Sequence, residues 1–159
     1  MTSQPNLDNI VPGEGPDNAL VMLIGQNPGK EEAKQRRPFV GRSGKFLDAV
    51  LKEIGLEREK LYITAAVKEP THRNKKPRAS QVKYWQPYLL SEIDRLKPKI
   101  IVLMGEIAWK TPRLPGIEYM ETYHPAAAMR FPRVRQKFKE DFKQLRRKMR
   151  QLEQERHEQ

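Results

Sequence analysis

Three short, unbroken apolar runs constrain the fold of this chain more than any other feature of its sequence. They are Ala19–Ile24, Leu61–Val67 and Ile100–Met104, each followed by glycine or by polar residues. Apolar runs of this length without alternation predict strands that are covered on both faces. Helical patterns at about Ser43–Ile54 and Ser80–Leu96 separate them. The order strand, helix, strand, helix, strand predicts an α/β fold with a mainly parallel sheet.

The second half of the chain adds one strand and one helix to this pattern. Ile117–Thr122 predicts a weaker fourth strand, so we expect a three-layer sandwich in which helices flank a four-stranded sheet. Beyond Pro132, apolar residues recur every three or four positions and predict one long amphipathic helix. We expect residues 1–18 to be a flexible lead-in, residues 19–150 to form a single domain, and residues 151–159 to be a frayed tail.

The amino-acid composition and the net charge indicate what kind of partner the protein binds. The chain has 31 Lys and Arg against 20 Asp and Glu, a formal net charge of +11 over 159 residues, which indicates a polyanionic partner. No apolar run approaches the roughly 20 residues that cross a bilayer, and the first residues lack the pattern of a secretion signal. We therefore expect an intracellular protein that does not bind membranes. The absence of cysteine excludes disulfides, a thiolate nucleophile and any cysteine-held metal centre.

The segment Gly25–Gly29, with the sequence GQNPG, is the first candidate for chemistry. It directly follows the first predicted strand, and open α/β sheets bind ligands beyond the carboxyl ends of their strands. Asn, Pro and Gly are also common turn formers, so a plain connecting turn remains an alternative. The segment matches neither the phosphate-loop pattern nor the three-glycine dinucleotide pattern, which argues against a nucleotide cofactor.

Two further segments combine aromatic, imidazole and small residues. In Arg37–Gly44, Phe39 stands before a glycine-rich helix start, where it is either a stacking surface for a ligand or a core residue, and the helix start near Ser43 could meet a phosphate. In Tyr123–Arg130, His124 precedes Pro125 in a predicted loop of small residues, where it is either catalytic or an ordinary surface residue.

Positive charge is concentrated in two places. The loop before the second long helix carries Lys75, Lys76 and Arg78, and Arg130–Arg150 holds ten basic residues against two acidic ones. Each cluster, taken alone, fits either a solvated surface or a contact with nucleic acid. The overall charge favours nucleic acid.

Five segments together resemble the uracil-DNA glycosylase superfamily, and most of all its iron–sulfur branch, family 4. The resemblance covers about residues 19–145 and rests on the order and placement of the segments GQNPG, PFVGRSGKFLD, YIT-x-x-VK, QPYLLSEIDRLKPKIIVLMG and YHPAAAMR. It implies the fold predicted above and a DNA substrate.

The chain departs from family 4 at three points. Glu69 and Trp85 stand where that branch has cluster-binding cysteines, so we expect neither a metal nor a cofactor. Asn27 resembles the mismatch-specific and single-strand-selective branches, in which this Asn positions the attacking water. Ala65 occupies a position where most members carry the Asn that reads uracil, and an alanine side chain can neither donate nor accept a hydrogen bond.

The resemblance also implies a role for each candidate residue in base flipping and hydrolysis. Asn27 would hold water, and His124 would donate to the negative charge on the leaving base. Phe39 would stack on the base, and the backbone of Gly25 and Gln26 would bind its edge beside Ala65. On the DNA side, Met129 would enter the gap left by the base, while phosphates would contact Ser43, Lys75, Lys76, Arg78 and Arg130.

The sequence therefore predicts a monofunctional, monomeric DNA glycosylase that hydrolyses the N-glycosidic bond of uracil during base-excision repair. Its partner would be DNA containing a deaminated base, and it would be cytoplasmic, located with the genome. Two alternatives stay open because of Ala65. The enzyme could excise another deaminated base, hypoxanthine or xanthine, or the chain could be a catalytically silent DNA-binding module.

Overall fold

A computed structural model describes residues 9–158 and contains one four-stranded sheet. The sheet order is β2-β1-β3-β4 and every neighbouring pair is parallel, which confirms the predicted α/β fold. All residues of the two central strands are buried, as their unbroken apolar sequences predict. The strands are β1 Val21–Gly25, β2 Tyr62–Ala65, β3 Ile100–Met104 and β4 Glu118–Thr122.

Six α-helices and two complete 3₁₀ turns lie between and after these strands within residues 9–158. Three of the helices are short and were not predicted, because four to six residues are too few to show a helical period. No helix in this range combines the length and the hydrophobicity needed to span a bilayer. The helices are α1 Lys30–Gln35, α2 Arg42–Ile54, α3 Ala79–Leu96, α4 Glu106–Trp109, α5 Pro125–Arg130 and α6 Pro132–His157, and the 3₁₀ turns are Arg58–Lys60 and His72–Asn74.

The helices cover the two faces of the sheet as separate layers. On one face, α2, α5 and α6 bury side chains such as Leu47 and Phe138 against β1 and β3. On the other face, α3 and α4 bury Leu89 and Ile107 against the same strands. The strand ends that precede the connecting loops are thus held rigidly at one edge of the sandwich.

The segment before β1 is packed, which corrects the expected flexible lead-in for its described part. Glu14 and Ile63 exchange two backbone hydrogen bonds of 2.9 and 2.8 Å, and the Val11 N–H donates to the Lys68 carbonyl at 2.8 Å. These bonds satisfy the outer edge of β2, the edge strand of the sheet, whose backbone groups would otherwise lack partners. Residues 1–8 of the expected lead-in lie outside the described residues.

The last helix is longer than expected. It continues to His157, so residues 151–157 of the predicted frayed tail are helical. Leu152 packs against the core and Arg156 donates to the Asn18 carbonyl at 3.3 Å, which fixes these last turns. The boundaries of a single domain over residues 19–150 stay a prediction.

Candidate active site

A cavity of about 390 Å³ opens at the carboxyl edge of the sheet. The loops after β1, β2 and β4 and the start of α2 form its walls, as expected for a ligand site in an open α/β sheet. The structure thus brings together candidates that are far apart in the sequence. Those lining the cavity are Gln26, Asn27, Phe39, Ser43, Ala65 and His124.

The Asn27 side chain is held in one orientation by its neighbours. Its amide nitrogen donates to the Pro28 carbonyl at 3.0 Å and to the Thr71 hydroxyl at 3.4 Å, while its oxygen accepts from the Gln26 amide at 3.1 Å. Both N–H donors are used, so the oxygen keeps one lone pair free. In this orientation, the group that Asn27 offers to a water molecule is an acceptor.

Phe39 is placed by unusual backbone geometry. Its φ is +51°, in the left-handed region, and the Arg58 guanidinium holds this turn by donating to the carbonyls of Pro38 at 2.6 Å and Phe39 at 2.7 Å. The ring lies directly against Gly25, where an added Cβ would come within 2.3 Å of it. Phe39 is 8% exposed and belongs to the core cluster, yet it also lines the cavity. Phe39 is thus both a core residue and part of the cavity wall, and its role as a stacking surface for a ligand stays a prediction.

His124 sits at the start of α5, which corrects the predicted loop of small residues. Proline at the first helical position, three alanines and the His124 cap favour a helix here. The Nδ1 atom of His124 accepts from the Ala126 N–H at 3.0 Å, so the proton of the neutral ring lies on Nε2. Burial lowers the pKa of His124, which favours the neutral form. The ring, whose centroid is 6.5 Å from that of Phe39, is therefore a neutral donor at the cavity wall.

Ala65 ends β2 in register with Gly25, at the floor of the cavity. The Ala66 N–H donates to the Gly25 carbonyl at 2.9 Å, which fixes the two strand ends relative to each other. The Ala65 side chain brings no polar atom to the cavity. Any recognition of a base at this position must come from other groups.

Glu32 lines the cavity and was missed by the sequence analysis. One carboxylate oxygen accepts from the Gly29 N–H at 2.9 Å, and the other accepts from the N–H groups of Val40, at 2.9 Å, and Gly41. The side chain thereby ties the GQNPG loop to the Phe39 turn. The spacing of Gly29 and Glu32, which is that of a helix start followed by its N3 residue, was the available signal.

Asn74 is the second missed residue. It lies at the end of a 3₁₀ turn with a φ of +56°, a conformation that Asn tolerates better than most residues, and it lines the cavity. An irregular loop carries no periodic signal, so no sequence pattern pointed to Asn74. Its side-chain amide adds another polar group to the cavity lining.

The basic loop lies at the same edge of the sheet as the cavity. Lys75, Lys76 and Arg78 follow Asn74 directly, and all three are exposed. Lys76 lies 3.6 Å from the Glu106 carboxylate, an exposed ion pair that contributes little to stability. These cations are therefore available to a polyanion at the cavity mouth.

Met129 and Arg130 are the last two residues of α5, and their expected roles on the DNA stay predictions. Met129 lies within α5, half-buried, and its carbonyl accepts from Arg135 at 2.6 Å. Phe131, in contrast, is 50% exposed at the junction of α5 and α6, and the Arg130 guanidinium lies 5.2 Å from its ring centroid. Two large aromatic side chains, Phe131 and the 38% exposed Tyr123, are thus exposed on either side of α5.

The basic face of α6 extends away from the cavity. Lys148 lies 2.6 Å from the carboxylate of Glu118, the first residue of β4, and therefore at the amino edge of the sheet. At 1.5 Å per residue, this 26-residue helix is about 39 Å long. Only the first turns of α6 lie near the carboxyl edge of the sheet, where the cavity opens.

The positions that correspond to cluster cysteines form a hydrogen-bonded contact instead. The Trp85 indole and the Gln81 amide donate to the same Glu69 oxygen, at 3.3 and 3.4 Å, and Tyr84 and Tyr88 pack around Trp85. Within residues 9–158, no group of three or more acidic or histidine side chains could hold a metal ion. A cysteine-held iron–sulfur cluster does not fit these residues.

Comparison with known proteins identifies the family of this chain. Residues 12–150 match the family model of the uracil DNA glycosylase superfamily. The type-4 uracil-DNA glycosylase of Sulfurisphaera tokodaii is 38% identical over 162 residues, covering 87% of this chain and 74% of that protein. The type-4 enzyme of Archaeoglobus fulgidus is 31% identical, covering 86% and 80%. A type-5 uracil-DNA glycosylase of Pyrobaculum aerophilum is 30% identical over 115 residues, covering 63% and 50%. The chain belongs to the uracil-DNA glycosylase superfamily.

Proposed function

We propose that this protein hydrolyses the N-glycosidic bond of uracil in DNA. The observation that carries the proposal is the convergence of Asn27, Phe39 and His124 on one cavity at the carboxyl edge of the sheet. A water acceptor, an aromatic wall and a neutral donor are the three groups that base hydrolysis needs. The names of the type-4 relatives add independent support.

The geometry favours a dissociative reaction. The amide of Asn27 does not titrate usefully, so it can orient water but cannot act as a strong general base. The bond to the base must then break largely before water attacks, which leaves positive charge on the sugar and negative charge on the base. The Nε2 proton of His124 is the side-chain donor for that negative charge. A preorganised donor of this kind contributes about 2.7–4 kcal/mol to the transition state.

Because the Ala65 side chain has no polar atom, other groups must recognise the base. The backbone N–H of Gln26 has no acceptor among the described residues, and its residue lines the cavity. The side chains of Gln26 and Asn74 add amides that can pair with a base edge. These three groups can form the hydrogen bonds to the base that the Ala65 side chain cannot form.

A second candidate function follows from Ala65. Its small apolar side chain leaves the cavity floor without the polar group that would reject a different base. Excision of another deaminated base, hypoxanthine or xanthine, is therefore the alternative activity at the same site.

The DNA would lie across the carboxyl edge of the sheet. Lys75 and Lys76 would neutralise phosphates on one side of the cavity and Arg130 on the other. Because Phe131 is 50% exposed whereas Met129 is partly buried, we propose Phe131 in place of Met129 as the apolar wedge that fills the vacated base position. The protein would act as a monomer at the genome.

Base release from defined oligonucleotides tests the proposal. The protein would be incubated with strands containing uracil, hypoxanthine or xanthine, and abasic sites would then be cleaved with alkali. Cleavage at uracil supports the proposed function, and cleavage only at a purine supports the alternative. DNA binding with no cleavage of any strand would identify a silent binding module, and an undamaged strand serves as the control.

A further inference from the structure

A buried ion pair lies directly behind β2, outside the reaction described above. Lys68 and Glu92 are 6% and 9% exposed, and their charged atoms are 2.7 Å apart. Hydroxyl groups complete the cluster, since Tyr62 donates to Glu92 at 2.6 Å and Thr64 lies 3.1 Å from its other oxygen. Burying two charges is costly, and an ion pair is weak grounds for stability by itself. A function at the neighbouring cavity would account for an ion pair that is costly to bury.

The Lys68 ammonium is connected to the cavity through the backbone. It donates to the Ala65 carbonyl at 2.6 Å. The N–H at the other end of that peptide group belongs to Ala66 and donates to the Gly25 carbonyl at 2.9 Å. The N–H at the far end of the Gly25 peptide belongs to Gln26, at the cavity. Two peptide groups thus run in line from a buried cation to a backbone donor that has no acceptor among the described residues.

We propose that Lys68 is a positioning residue that strengthens the Gln26 N–H as a donor to the leaving base. A cation on a carbonyl oxygen polarises the peptide group and makes its N–H a stronger donor, and this effect passes along a hydrogen-bonded chain. The inference rests on the proposed function, because the Gln26 N–H can stabilise a leaving base only if the protein releases a base at this cavity.

The expected effect is smaller than that of a direct contact. Polarisation changes each bond in such a chain by about 10–30%, whereas loss of a direct donor reduces the rate by about 10² to 10³. We therefore expect removal of the ammonium to lower the rate of uracil release about two- to eightfold. The affinity for DNA should not change, since Lys68 is buried and contacts no surface that DNA can reach.

The competing explanation is that Lys68 only neutralises Glu92. In that case Lys68→Met would fail because it leaves a buried carboxylate without a counter-charge. The double variant Lys68→Met/Glu92→Gln removes both charges and separates the two explanations. A purely structural role predicts that the double variant regains both stability and rate.

Single-turnover kinetics on uracil-containing DNA make the first test. We expect the double variant to regain thermal stability but to stay about two- to eightfold slow, and Lys52→Met, on the exposed surface of α2, to match wild type. The deficit should shrink with 5-fluorouracil, because fluorine already stabilises negative charge on the base. A double variant with wild-type rate would overturn the proposal.

A second measurement does not depend on activity. The through-hydrogen-bond NMR coupling between the Ala66 nitrogen and the Gly25 carbonyl carbon reports the strength of the middle bond. In the double variant it should weaken by about a tenth or more, while the neighbouring coupling from Val67 to the Gln26 carbonyl stays unchanged. Equal values in both proteins would refute the relay. A weakened coupling in a protein that releases no uracil would instead show that the relay exists and that the proposed function is wrong.

Discussion

Replacing His124 removes two contributions that the structure allows us to separate. In His124→Ala, the cavity loses the Nε2 donor, and we expect uracil release to slow about 10²-fold, as for removal of one oxyanion donor. The same variant loses the bond from the Ala126 N–H to Nδ1, which caps α5. Loss of a cap costs about 1 kcal/mol, or about 2–4 °C in melting temperature for a chain of this size.

The variant His124→Asn separates these effects. Asparagine is a strong capping residue, so this variant should regain most of the lost stability. Its shorter side chain does not carry a donor to the position of Nε2, so the rate should stay low. The measurements are single-turnover base release and thermal unfolding of the three proteins. A fully active His124→Asn would show that His124 acts only as a helix cap.

The same residue sets a pH dependence. Burial lowers the pKa of His124 from 6.5, and the Nδ1 acceptor requires the neutral ring. The unfolded chain therefore binds a proton at higher pH than the folded chain, so the stability due to this residue is complete above about pH 6.5 and declines as the pH falls toward the folded pKa. The rate of base release should fall in the same direction. In His124→Asn, the decline in stability between pH 7 and 5 should be smaller, and an unchanged profile would contradict this account.

Four other substitutions test the remaining assignments. Asn27→Ala should reduce base release by orders of magnitude while DNA affinity stays nearly constant, and an equal loss of both would refute a role in holding water. Ala65→Asn should raise the preference for uracil over hypoxanthine in single-turnover rates, since an amide adds both a donor and an acceptor; the same preference in both proteins would place selectivity elsewhere. Lys75→Gln should lower the slope of log affinity against log salt by about 1, whereas Lys148→Gln at the amino edge should leave it unchanged. Phe131→Ala should slow base release from duplex DNA more than from single strands, and equal losses would argue against a wedge.

The sequence predicted the sheet well because its signals are local. The runs ALVMLI and IIVLM are too apolar for any place other than the centre of a covered sheet, and the structure buries every residue of β1 and β3. The segments that follow these strands could be recognised as loops at the ligand-binding edge. Their meeting at one cavity follows from the parallel topology itself.

The parts that the sequence did not reveal depend on contacts between distant segments. Glu32 resembles any charged residue on an exposed helix, and only the fold brings the N–H groups of Val40 and Gly41 within reach of its carboxylate. Asn74 reaches the cavity because two successive residues, Arg73 and Asn74, adopt positive φ. No pattern in the sequence predicts this conformation. The Asn74 side chain adds an amide to those of Gln26 and Asn27, which the sequence analysis had already placed at the site.

The packing of residues 11–14 against β2 has a consequence for self-association. A parallel sheet ends in two edge strands, and an uncovered edge is a template on which another chain can add a strand. Here one edge is occupied by the chain's own backbone through the exchange between Glu14 and Ile63. Gly15 makes this approach possible, since a Cβ there would lie 2.4 Å from the Leu61 carbonyl. The segment that precedes β1 thus prevents a strand of a second molecule from pairing with this edge of the sheet.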